Sequence, residues 1–319
     1  MPPLWTFNTV VVRGAIRPRL TCDGLQLQPG ITAVLGESGA GKSTFLNLLV
    51  GFARPDSGEL CAALPMGADR LPLFWVPQND GLWPHLNVVE HLDAVRRAED
   101  ETSEALLDRM ELSGLEKRQI DELSVGERSR LAVARAVAAD AWVTVLDEPL
   151  AHVDRARRGP LWRHVLARAA SGNASVVFAT HSPRMVLGHA TRVILLREGR
   201  VLAEGCVEDL YWRPATRDIA EALGPVNWFE VGDAARWLPG AEEGRNYRPS
   251  ELQLDVAEQG APLRVEALHF SGETTTVELW HEPSGERRGF TLHTGSLPTV
   301  GCPVHLICRP SVNPEGASC

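Results

Sequence analysis

Apolar positions fall along this chain in two rhythms. Up to about residue 210, short apolar runs alternate with segments of helical spacing. Ile31–Leu35, Leu73–Val76, Trp142–Leu146, Ser175–Ala179 and Arg192–Leu196 read as strands. Glu104–Met110 and Arg128–Ala139 carry apolar residues three and four apart and read as helices. Such alternation predicts an α/β unit with a mainly parallel sheet. From about Glu251 the period drops to two, in Leu252–Val256, Leu263–Phe270, Thr274–Trp280, Gly289–His293 and Val304–Cys308. Turn residues such as Ser271-Gly272, Pro283-Ser284-Gly285 and Thr294-Gly295 separate them. Five short strands with tight turns predict a small all-β barrel. The expected organisation is an α/β domain over 1–225, a Pro- and Trp-containing linker over 226–249, and a β domain over 250–319.

Composition narrows the function classes. The chain has 319 residues, 44% of them hydrophobic, so it can bury a sizeable core. Its net charge of −9 argues against nonspecific binding to nucleic acid, which needs a basic surface. Six scattered cysteines make no C-x-x-C pair, so neither a zinc site nor a disulfide framework is expected, and the thiols are expected to be reduced. Met1-Pro2-Pro3-Leu4-Trp5 lacks the basic-then-apolar order of a signal peptide. No apolar run approaches the ~18 residues of a bilayer span. A task at a membrane would need another chain to do the spanning.

The chemistry starts at Gly36-Glu37-Ser38-Gly39-Ala40-Gly41-Lys42-Ser43-Thr44, which fits G-x-x-x-x-G-K-[ST] between a strand and a helix. Glycines let successive N–H groups turn toward one point and form an anion cradle at a helix N-terminus. Lys42 is expected to reach the β- and γ-phosphates and Ser43 to hold Mg²⁺. The strand ending at Leu146 delivers Asp147, a second group for the metal, followed by Glu148, which is placed to polarise an attacking water.

Four further segments follow in order. Gln78 comes just after a strand, in Trp75-Val76-Pro77-Gln78. Leu123-Ser124-Val125-Gly126-Glu127 opens a helix. Asp154 ends Leu150-Ala151-His152-Val153-Asp154, and His181 follows Val176–Thr180. With the P-loop and Asp147-Glu148, this order resembles the ATP-binding cassette (ABC) ATPases over about residues 5–225. The resemblance implies a RecA-like core with a helical signature subdomain. It implies catalytic roles for Glu148, His181 and Gln78, with Gln78 also sensing Mg²⁺ beside Ser43 and Asp147. It further implies that Ser124, Gly126 and Glu127 act in trans on the ATP of a second copy, and that Asp154 is the D-loop aspartate. ATP and Mg²⁺ are the implied cofactors.

The sequence departs from the family pattern in two places. Val125 stands where the signature usually has glycine, and no aromatic residue precedes the P-loop to stack on adenine. Trp5 and Phe7 come too early and read as core, which leaves Arg13 as a candidate for cation–π stacking.

The β domain is similar to the OB-like (TOBE-like) extension of importer ATPases. Tyr247-Arg248-Pro249-Ser250-Glu251-Leu252 resembles the stretch that opens that extension, and Ile31–Gly36 together with Glu127 resembles the molybdate-type ATPases. The resemblance therefore implies a peripheral homodimer on the cytoplasmic face of the inner membrane. Its partners would be integral membrane permease subunits and a periplasmic or extracellular solute-binding protein, not nucleic acid, and its solute a molybdate-like oxyanion or another small polar molecule. The alternatives are an exporter ATPase for a lipid or drug and a soluble non-transport ABC ATPase. In the family the residue that Gln78 resembles contacts the membrane subunit; the apolar, turn-rich segment after it, with Leu82 and Trp83, is expected to face that subunit, the alternative being Trp83 packed inside its own domain.

Overall fold

The computed structural model describes residues 2–67, 70–96, 102–230, 232–241, 244–257 and 260–309. The chain forms two compact units, residues 1–207 and 208–318. This division falls earlier than the composition change near 225 suggests. The helices Val207–Trp212 and Arg217–Ala222 have contacts that run mainly into the second unit.

In the first unit, five parallel strands lie in the order Arg192–Arg197, Ile31–Leu35, Ser175–Thr180, Val143–Asp147 and Leu73–Val76. Every residue of Ile31–Leu35 is buried, as expected of a parallel strand covered on both faces. Register aligns the strand ends. Leu35 pairs with Thr180, Asp147 with Ala179 and Val76 with Leu146. The segments that follow, beginning at Gly36, His181, Glu148 and Pro77, therefore leave the sheet along one edge, where open α/β sheets bind ligands. A mainly antiparallel layer extends the sheet through Arg200–Cys206, Leu20–Cys22, Trp5–Val12, Gln26–Leu27 and Ser57–Ala62, with Arg200–Cys206 and Leu20–Cys22 pairing parallel. Trp5 and Phe7 are core residues, as expected. Phe7 stacks on Phe45 at 5.0 Å, and the Trp5 indole donates to the Leu49 carbonyl.

Element ends moved by a few residues for identifiable reasons. The signature helix is Val125–Ala139 and begins three residues before Arg128, because Ser124 and Glu127 form a reciprocal capping box. The strand expected from Trp142 runs Val143–Asp147, so Asp147 belongs to the ladder.

In the second unit, an antiparallel sheet takes Leu252–Val256, Pro303–Cys308, Leu263–Phe270, Thr274–His281 and Glu286–His293 in that spatial order. Alternate residues fill its core, with Leu263, Val265, Val277, Leu279, Phe290 and Leu292 meeting Phe229 and Trp237. Arg248 is wholly buried and acts as a hub. Its guanidinium donates to the carbonyls of Tyr211, Ala220, Gly224 and Pro225 and lies over the Tyr211 ring at 3.9 Å. Cys22, Cys61, Cys302 and Cys308 are free thiols, whereas Cys206 is disulfide-bonded, which corrects the expectation of reduced thiols throughout.

Candidate functional site

The strand Ile31–Leu35 ends in a loop that needs glycine at two places for different reasons. A Cβ on Gly36 would come 2.5 Å from the Leu196 carbonyl oxygen. Gly41, at φ 103, caps the helix Lys42–Leu49 without any side-chain acceptor, so the first-turn N–H groups stay open to an anion. A Cβ on Gly41 would also come 2.8 Å from the Arg19 carbonyl oxygen.

Lys42 is buried and folded back, its Nζ donating to the Gly36 and Glu37 carbonyls at 2.9 and 3.0 Å. The same Nζ lies 3.4 Å from Glu148 Oε1, and that oxygen lies 3.3 Å from Nδ1 of the exposed His181. Glu148 takes a left-handed φ of 48 and Leu150 one of 60. A glutamate gains no ease from that region, so the turn is held by its surroundings, including the Glu148 N–H to Ala179 carbonyl bond.

Asp147 is buried. Burial pushes its carboxyl above the ordinary value of 3.8, the Ser43 hydroxyl bond opposes this, the Glu148 charge adds to it and Lys42 opposes it. Asp147 Oδ1 has no hydrogen-bond partner. A buried carboxylate oxygen left open beside a hydroxyl fits a hydrated divalent cation, which takes oxygen ligands and keeps several waters.

The site opens on a cavity of about 530 Å³ whose wall includes neither Asp147 nor His181. Lys42, Ser43 and Thr44 line it, with Gln78 and Glu148, and so does the loop 14–19 with Glu198. A smaller chamber of about 70 Å³ is bordered by Gln78, Asp80, Asp147, Glu148 and His152. The structure thus brings the P-loop residues Gly36, Glu37, Ser38, Gly39, Ala40, Gly41, Lys42, Ser43 and Thr44 together with Gln78, Asp147, Glu148 and His181.

It does not bring Ser124, Gly126, Glu127 or Asp154 to the wall of that cavity. Ser124 is engaged with Glu127, whose carboxylate accepts from the Ser124 N–H and Oγ–H at 2.7 Å each; these bonds hold the Glu127 carboxyl below its usual range. Gly126 packs where a Cβ would come 3.1 Å from the His152 carbonyl oxygen, and Val125 is half exposed.

Arg13 is a correction. Its backbone N–H is tied to Asp56 at 2.7 Å, and it does not line the cavity. Arg17 does, paired with Glu198 at 3.3 Å. Nothing in the hydrophobic pattern marks Arg17. Its position follows from a tight turn in which a Cβ on Gly14 would strike the Arg17 carbonyl oxygen at 2.2 Å.

Next to Gln78, Trp83 is clamped rather than loose. It stacks on His91 at 5.6 Å, and the Arg135 guanidinium lies 4.6 Å from its ring on the buried side of the signature helix. The Trp83 N–H donates to His91 Nε2, and His91 Nδ1 donates to the Asn87 carbonyl, which fixes a neutral ring. Trp83 still exposes 37% of its surface.

Comparison with known proteins gives a consistent picture. Residues 24–151 match the ABC transporter family. The sulfate/thiosulfate import ATP-binding protein of Gloeobacter violaceus is 31% identical over 272 residues, covering 80% of this chain and 78% of that protein. The Fe(3+) ions import ATP-binding protein of Rhizobium meliloti is 29% identical over 301 residues, covering 84% and 85%. The spermidine/putrescine import ATP-binding protein of Pseudomonas fluorescens is 29% identical over 279 residues, covering 75% of each. Among solved structures, an ATP-binding subunit of an ABC transporter superposes with a TM-score of 0.55 at 21% identity, over 65% of this chain and 91% of that one. A dimeric bacterial ABC transporter cassette gives 0.53 at 22%, over 64% and 98%.

Proposed function

The chain belongs to the ATP-binding, ATP-hydrolysing subunits of ABC transporters, and on that premise we propose that it powers uptake of a small charged solute through separate membrane permease subunits. The observation that carries the catalytic part is the shared contact of Glu148 Oε1 with Lys42 and His181, Glu148 being the first residue past the strand that ends at Asp147. Lys42 and the open N–H groups of the helix Lys42–Leu49 bind the phosphates. Ser43, Asp147 and Gln78 would hold Mg²⁺, which when bound would neutralise charge on the phosphates. Glu148 orients and polarises the water, and His181 donates to the terminal phosphate.

Ser124 and Gly126 lie away from the chain's own phosphate cavity, which supports their acting on a second copy. Asp154, at the start of Arg155–Ala170, belongs to the same interface. Closure then requires Ser124 to exchange its bond to Glu127 for one to phosphate.

Import is favoured over export by the relatives named above and by the all-β second unit. The solutes of those relatives, Fe(3+), sulfate/thiosulfate and spermidine/putrescine, are all small and charged. Within that class, a molybdate-like oxyanion is the finer reading. It rests on the sequence of Ile31–Gly36, on Glu127 and on the missing aromatic before the P-loop. None of the described helices is long and apolar enough to cross a membrane. Association with the cytoplasmic face of the inner membrane would therefore come through the permease, and a solute-binding protein would deliver the cargo on the other side.

The test has two arms. Purified protein is expected to hydrolyse ATP only with Mg²⁺ and to lose that activity in Lys42→Ala. Affinity purification from detergent-solubilised membranes is expected to recover a polytopic permease, and recovery of the ATPase alone would reject the transport reading. Uptake assays with molybdate, sulfate and ferric iron then separate the solutes.

A further inference from the structure

Glu148 and Leu150 both take left-handed backbone angles, at φ 48 and 60, on either side of Pro149. Two such residues so close together, neither of them glycine, persist only where the surroundings fix them. The sheet fixes one end of the turn, through the Glu148 N–H to Ala179 carbonyl bond at 3.1 Å. The buried side chain of Leu150 pins the middle. The other end, from Ala151 to Val153, belongs to no strand or helix.

Arg158 holds that end. It lies in the first turn of the helix Arg155–Ala170 and reaches back toward the strand. Its Nε donates to the Val153 carbonyl and its Nη2 to the Ala151 carbonyl, at 2.7 Å each. These two N–H groups leave one edge of the planar guanidinium side by side, and no other side chain offers such an edge. Between the two clamped carbonyls lies that of His152, against which Gly126 packs. One guanidinium therefore steadies both the turn that carries Glu148 and the backbone that meets the signature helix. The preceding arginine, Arg157, is engaged elsewhere, paired with Glu111 at 3.0 Å.

We propose that Arg158 is a positioning residue for ATP hydrolysis. By clamping the Ala151 and Val153 carbonyls it holds Glu148 in the backbone conformation from which its carboxylate meets Lys42 and His181. The inference rests on the reading of Glu148 as the group that polarises the water. Arg158 does not line the nucleotide cavity and acts only through the turn. Without the clamp the turn relaxes and the carboxylate loses its aim, while the P-loop keeps its phosphate contacts. A loss in kcat without a matching loss in ATP affinity is the mark of such a role.

Kinetics and calorimetry on the full chain test this. Arg158→Met keeps the apolar stem and is expected to lower kcat about tenfold or more while the Kd for ATP stays within about twofold. Arg158→Lys keeps the charge without the paired edge and is expected to recover little. Arg157→Met is expected to hydrolyse ATP within about twofold of the parent. The readout that a merely structural role would not give is the cycle with Glu148→Gln. Adding Arg158→Met to Glu148→Gln is expected to slow the residual single-turnover hydrolysis by less than about twofold, because the group being positioned is already gone. Losses that multiply would give Arg158 a general structural role and overturn the proposal. So would a parent-like kcat in Arg158→Met, or an equal loss in Arg157→Met. Should Arg158→Met melt well below the parent, Arg158→Lys carries the same cycle with the same expected outcome. Glu148→Gln alone hydrolysing at the parent rate would fail the underlying reading of Glu148. A slow Glu148→Gln beside an unimpaired Arg158→Met would fail this proposal alone.

Discussion

Lys42 Nζ and Glu148 Oε1 lie 3.4 Å apart, so the proposed phosphate-binding cation is in contact with the proposed base. Bound phosphate would compete with Glu148 for Lys42. Glu148→Gln keeps the volume and removes the charge. It is expected to lower kcat by ~10²–10⁴ while leaving ATP affinity unchanged or tighter. Size-exclusion chromatography of this variant with ATP is expected to show a dimer. Hydrolysis at the wild-type rate would remove Glu148 from its role.

Base recognition is expected to be weak. Arg17 offers a guanidinium face where stacking on an aromatic would contribute ~1–3 kcal/mol. GTP is expected to be hydrolysed with a kcat/KM within about tenfold of ATP, ~1.4 kcal/mol or less. Arg17→Ala is expected to raise KM for both nucleotides, Arg17→Tyr to lower it for ATP, and Arg13→Tyr to change neither. A hundredfold preference for ATP would reveal a reader of adenine elsewhere.

Acid is expected to loosen the segment around Trp83. Burial, the largest influence, sets His91 below its ordinary value of 6.5; the Asn87 carbonyl bond and Glu90 oppose this, and Arg135 and His85 reinforce it. A histidine held neutral in the fold titrates more readily when unfolded. The stability it contributes is therefore complete above about pH 6.5 and falls as pH drops below that value. His189, half-buried against Trp162, acts in the same direction. Urea midpoints at pH 7.5 and 5.5 are expected to differ less in His91→Asn than in the parent. An unchanged difference would assign the effect to His189.

The partly exposed Trp83 and Leu82 are expected to meet the permease. A Trp83→Cys variant in the assembled complex should give a crosslink to the membrane subunit. Adducts confined to the ATPase would place that surface elsewhere.

Removing the Arg248 guanidinium takes a donor from four carbonyl acceptors, of which Ala220 keeps the Leu223 N–H. Arg248→Met is expected to destabilise the second unit by at least ~3 kcal/mol, and Arg248→Lys to recover little, because an ammonium lacks the planar fork. Hydrogen exchange should report this as faster exchange in residues 208–309, with the first unit's core protected.

Most of the first unit was legible because its signals are local. The run Ile31–Leu35 is apolar without a break, and the glycines of 36–41 have positions only a tight turn explains. Asp147 could be placed because an acid ending an apolar strand must emerge at the sheet edge. Arg17 was not legible. Its approach to the nucleotide cavity depends on Gly14, Gly41 and Gly199 letting three backbones touch, a relation among residues far apart in sequence. Only a resemblance marks Arg248, since a buried arginine and an exposed one look alike in a sequence. Trp83 was expected to be exposed, and its clamp by His91 and Arg135 could not be read from spacing because Arg135 lies on another helix.

The aligned strand ends have a consequence for how this chain can change. Leu35, Thr180, Asp147 and Val76 act as marks on a common ruler, with each reactive segment starting one step past its mark. Substitutions along the strands leave the ruler intact if they stay apolar. A single inserted or deleted residue in any of them would displace one group by a full residue rise, ~3.3 Å, and turn it to the opposite face. The lineage of such a protein should therefore record many exchanges of side chain in these strands and almost no change in their length, with length variation confined to loops such as the one after Leu64.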